Sequence, residues 1–148
     1  SLRGAAPVGD MGDVLAMTPD GSTLYTVLAS DETVDAGGDL AIINRTNNSV
    51  ISTIPLDDST LFDDSGAPID CIGGQIVAGL SAPCDLISMT VSSDGRLFAL
   101  LDQDGTRHLI NIDPVTGEMT WLRYLDSSYY IGSIAWAPPA CNLFYTTD

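Results

Sequence analysis

The chain contains no lysine, a single histidine, His108, and only two glutamates, Glu32 and Glu118. Its 5 basic residues are therefore all arginine, and against 20 acids they leave a formal net charge of −15 over 148 residues. A negative field of that size repels nucleic-acid phosphates and anionic lipid, so neither is expected as a main partner. No apolar run approaches the roughly 20 residues that a membrane-spanning helix needs. There is no CxxC pair, and that absence together with a single imidazole argues against a zinc or iron–sulfur site. The start, Ser1-Leu2-Arg3-Gly4, has neither an initiator methionine nor an apolar signal core, and reads as a processed or truncated end.

What is abundant is Asp and Gly within a chain that is 45% hydrophobic. Both residues favour turns and depress helix, so the bias points to short strands joined by many loops around a real core. Cys71 and Cys84 bracket one loop, and a disulfide closing it would add about 3 kcal/mol in the chain-entropy treatment. Cys141 is left over. The overlapping triplets Asn44-Arg45-Thr46 and Asn47-Asn48-Ser49 are glycosylation acceptors on Asn44 and Asn47. Disulfide and sequons together set the expectation of an extracellular or secreted location.

One phrase recurs. "VLAMTPDGSTLYTVLAS", "LISMTVSSDGRLFALLDQ" and "IGSIAWAPPACNLFYTTD" come into register when Leu24, Leu97 and Leu143 are superposed. Each reads as two strands around a tight turn, with Asp20-Gly21 and Asp94-Gly95 expected to supply positive-φ turn residues. A second pattern follows the first two copies: "IINRTNNSVISTI" and "NIDPVTGEMTWL" align without a gap, placing Asn44 over Asp113 and Asn48 over Gly117. Hairpin, hairpin and connection, repeated, make a four-stranded unit of about 40 residues.

This pattern resembles the YVTN and lactonase-like propeller repeats, related in style to NHL and quinoprotein blades. The resemblance implies an all-β fold of four-stranded antiparallel propeller blades forming one module over residues 1–148. Blade one runs over 14–56, an insertion over 57–85, blade two over 86–125, and a half blade over 131–148. Two and a half blades close no ring, since propellers use four to eight. The remainder is expected from a longer chain or from further copies of this one, as a ring or a fibre. A β-sandwich of the same hairpins is the alternative architecture.

In such folds the loops from second to third strand and from blade to blade share one face, which often binds ligands. That assignment places most of the acid on one side, with Arg45, Arg96 and the sequons on the other. Asp57, Asp58, Asp63, Asp64, Asp102 and Asp104 are the candidate oxygen ligands for a hard cation, Ca2+. Plain turn-forming carboxylates are the competing reading. "DQDGTRHLINID" opens like a calcium loop, but Arg107 stands where an EF-hand requires glycine. Tyr124, Tyr129 and Tyr130 are the candidate contact residues, for a sugar ring or a neighbouring subunit. His108 lies within a strand with no nucleophile at a recognised spacing, and "GLSAP" lacks the last glycine of a nucleophile elbow. Trp121 and Trp136 read as packing residues. The expectation is an extracellular scaffold or binding module that self-associates through incomplete blades, more a binder than an enzyme. The resemblance supplies the rival, a metal-dependent, lactonase-like hydrolase of which these blades are part.

Overall fold

The computed structural model describes residues 11–28, 38–69, 84–103, 105–125, 131–137 and 142–147. They are all-β, and among them no helix is long and apolar enough to cross a membrane. Four strands, β1 (Met11–Met17), β2 (Thr23–Leu28), β3 (Asp39–Asn44) and β4 (Ser49–Pro55), pair antiparallel in chain order. So do β5 (Asp85–Val91), β6 (Leu97–Gln103), β7 (Thr106–Ile112) and β8 (Met119–Leu125). A last pair, β9 (Ile131–Ala137) and β10 (Asn142–Thr147), forms a two-stranded sheet. These are propeller-type blades meandering outward from β1, β5 and β9, and those three inner strands lie side by side. A sandwich would cross strands between sheets; here every sheet is built from consecutive strands. No closed ring is formed by the described residues.

Alternation along the strands divides each blade into two faces. On β6, Leu97, Ala99 and Leu101 face blade one, whereas Phe98 and Leu100 face β9. The larger core lies between blades one and two, where Ala16, Tyr25, Val27 and Leu40 meet Met89, Val91, Leu97, Ile110 and Met119. The smaller one joins blade two to Ile131, Ile134 and Trp136. There Phe98 stacks on Trp136 with centroids 5.6 Å apart and rings 5° from parallel, and the Arg96 guanidinium lies 5.4 Å from the Phe98 ring. The Ile134 and Trp136 amides of β9 donate to Ser88 Oγ at 3.1 Å and Thr90 Oγ1 at 3.0 Å on β5. Hydroxyl side chains thus bridge the inner strands of successive blades.

The turns correct one expectation. Gly21 and Gly95 have φ of 72° and 85°, but Asp20 and Asp94 do not share the left-handed region. Each Asp works through its side chain: Asp20 Oδ1 accepts from the Thr18 hydroxyl at 2.7 Å and the Ser22 amide at 3.0 Å. These donors hold the Asp20 carboxyl down at about 2. Asp94 accepts from the Ser92 hydroxyl and pairs with Arg96 Nε at 3.0 Å. The turn is an Asx-braced loop with one glycine, more tolerant than a two-residue turn needing positive φ twice.

Candidate functional site

The segment after β4 positions the chemistry. Asp57 pairs with Glu118 in a parallel bridge, its N–H donating to Gly117 O at 2.9 Å while the Met119 amide donates back to Asp57 O at 3.1 Å. The Thr60 hydroxyl donates to Met119 O at 3.0 Å. Leu56, Leu61 and Ile69 drop from this segment into the core between the blades. Residues 57–69 therefore run beside the outer strand of blade two, bridging its start at Glu118 and reaching Tyr124 near its end.

That course separates acids the sequence places together. Asp57 lies beside Glu118 and Asp63 beside Tyr124, two places about 20 Å apart along a strand rising roughly 3.3 Å per residue. Asp57 Oδ1 accepts from the Ser59 amide at 2.9 Å, and the Ser59 hydroxyl with that amide holds its carboxyl below the ordinary range. Asp58 is half-buried next to it, and Asp64 is exposed. Asp104, Tyr129, Tyr130 and Cys71 fall outside the described residues, so their expected roles have no structural counterpart here. Cys84 is buried against the larger core and is disulfide-bonded.

At the Asp63 end a compact polar cluster forms. Asp63 Oδ1 accepts from the Ser65 hydroxyl at 2.6 Å, the Ser65 amide at 2.9 Å and the Ala67 amide at 2.9 Å. Its Oδ2 accepts from the Tyr124 hydroxyl at 2.8 Å. These donors, Ser65 foremost and then Tyr124, hold Asp63 at about 2, and the same bond to Asp63 pushes the Tyr124 hydroxyl up. Asp102, at the end of β6, accepts from the Gly105 amide at 2.7 Å with Oδ1 and from Arg107 Nη2 at 2.9 Å with Oδ2.

Between these carboxylates lies His108. It is 1% exposed, paired across the β7–β8 ladder with Tyr124, whose ring centroid is 4.9 Å away. Trp121 Nε1–H donates to His108 Nδ1 at 3.3 Å, which places the proton of the neutral ring on Nε2. That Nε2–H is buried without a partner. Burial lowers the His108 pKa, and the charges of Asp102 and Asp63 oppose it. The sequence places His108 in a strand with no nucleophile beside it, and the structure buries it there; the cluster around it is the addition. Its signal was available in the β7–β8 hairpin: pairing outward from the Gly117 turn sets His108 opposite Tyr124.

The glycosylation acceptors lie at the end of β3 and in the turn to β4. Asn44 Oδ1 accepts from the Thr46 amide at 2.8 Å. Asn47 is exposed, and its Oδ1 accepts from the Ser49 hydroxyl at 2.7 Å.

No family model matches the chain, and no curated protein matches it. Among solved structures it is similar to a luciferin-regenerating enzyme, with a TM-score of 0.52 and 16% identity over 95% of this chain. The chain spans 38% of that protein's length. A Kuenenia stuttgartiensis hydrazine synthase also matches, with a TM-score of 0.35 and 21% identity over 82% of this chain and 38% of the other. These neighbours are β-propeller-type proteins, and at such identity the first likeness concerns the fold alone.

Proposed function

We propose that the chain is an extracellular scaffold of propeller-type blades, which acts by presenting and packing blade surfaces rather than by catalysis. Its partners on this reading are further blades, in copies of itself or in a longer chain. The observation that carries it is the state of the acidic loops. Asp63 and Asp102 each engage both carboxylate oxygens with donors of the chain itself. Carboxylates so used brace loops, and a hard cation asking for six to eight oxygens would have to share them with those donors. Among the described residues no group of three or more His, Cys, Asp or Glu is placed to hold a metal ion. The disulfide at Cys84 supports an oxidising location.

The rival is the metal-dependent hydrolase, and one observation favours it: Asp63 and Asp102 arrive from different loops close enough for both charges to act on His108. Calcium on this reading uses Asp63, Asp64 and Asp102 at one end of blade two, with Asp57 and Asp58 apart. The test is hydrolysis of simple lactones by the native chain, with calcium, manganese or zinc supplied. The scaffold reading expects no rate above buffer. Metal-dependent turnover that Asp102→Asn abolishes would overturn it.

A further inference from the structure

Blade one repeats blade two position by position. Met17 pairs with Leu24 as Val91 pairs with Leu97, and Leu15 pairs with Thr26 as Met89 pairs with Ala99. In blade two this face is sealed by blade one, leaving Met89 5% and Val91 6% exposed. In blade one the same two positions stand open: Leu15 is 51% and Met17 52% exposed. Their strand neighbours Val14 and Ala16 point the other way, into the larger core. Beyond β1 the face is apolar but already covered, with Ala41 0% and Ile43 3% exposed and Leu24, Leu28 and Val50 half-buried beside them, so its open part is the β1 edge at Leu15 and Met17.

We infer that this face, along β1, is a docking surface for a second copy of the chain, occupied by the outward side of its β9–β10 sheet. The inference rests on the scaffold reading and names the partner of that scaffold. The occupant follows from how the chain joins its own blades. The side of β5 that receives β9 is small and hydroxyl-bearing, with Ser88 and Thr90 accepting the Ile134 and Trp136 amides. On β9 the residues standing in the places of Ser88 and Thr90 are Ser133 and Ala135, small and exposed. A second copy therefore offers β1 the kind of surface that β5 already offers β9. Neither Leu15 and Met17 nor Ser133 and Ala135 carries charge, and the repulsion between two copies of net charge −15 is screened by salt. Because two different surfaces meet, the contact is head to tail and either closes into a ring or extends as a filament.

Sedimentation velocity over a micromolar concentration series tests this, on the wild-type chain, a Leu15→Asp, Met17→Asp pair, and Ile51→Asp as a control on the exposed outer strand. The expected result is concentration-dependent dimers or larger species, tighter at higher salt, with association at least tenfold weaker in the paired variant and intact in the control. Should the aspartates unfold blade one, the milder Leu15→Ser, Met17→Ser pair is read in their place. A wild-type chain that stays monomeric, or association that survives the paired variant, overturns the inference. Neither result touches the scaffold reading, which the hydrolysis assay tests separately.

Discussion

At the scale of single residues, two buried polar atoms without partners make the sharpest predictions. His108 is the only histidine, so it alone among the side chains has an ordinary pKa between pH 5 and 8. Burial depresses its folded pKa, and the fold therefore prefers the neutral ring that accepts from Trp121. Stability from this preference is complete above the unfolded value of about 6.5 and is lost as pH falls through the lower folded value. Denaturant midpoints of the wild type are expected to fall between pH 7 and 5, and those of His108→Gln to stay flat across the same interval. Thr26 is the second case, buried with no partner for Oγ1 at the place where blade two has Ala99. Thr26→Val keeps the shape and removes the unsatisfied hydroxyl. Chemical denaturation should show it more stable by about 1 kcal/mol.

At the scale of elements, the segment 57–69 and the turn it meets decide how blade two is closed. Gly117 has φ of 80°, and a β-carbon there would come within 2.0 Å of the Pro55 carbonyl oxygen. Gly117→Ala thus combines left-handed strain with a backbone collision at the joint between the blades. It is expected to cost at least about 2 kcal/mol in an equilibrium unfolding curve. Asn48, the aligned residue of blade one, also has positive φ, at 53°.

The same pair shows what was legible in the sequence. The gapless alignment of the two outer hairpins puts Asn48 over Gly117, and both occupy the left-handed region, because short-range turn chemistry is written locally. The approach of Pro55 to Gly117, and the bond from Tyr124 to Asp63, join residues some 60 positions apart. No local pattern specifies such contacts, so segment 57–69 read as an insertion and its acids as members of one rim. Asp20 and Asp94 were assigned a backbone role that their side chains perform instead.

At the scale of the molecule, a chain with −15 net charge keeps two apolar cores between its blades by placing its acids in turns and loops. Many of those acids brace the turns in which they occur, as Asp20, Asp57, Asp63, Asp94 and Asp102 do with neighbouring amides, hydroxyls or arginines. Charge repulsion and loop bracing thus fall on the same residues, while apolar faces remain for blade packing. On the scaffold account such a molecule folds without an ion. Calcium bound at a hundred times its dissociation constant would add about 2.7 kcal/mol and raise the midpoint by roughly 5–10 °C. The most direct measurement is therefore thermal unfolding of the native chain in EDTA and in millimolar calcium. The scaffold account predicts coincident curves; a midpoint that climbs by several degrees with calcium, and loses that gain in Asp63→Asn, would contradict it.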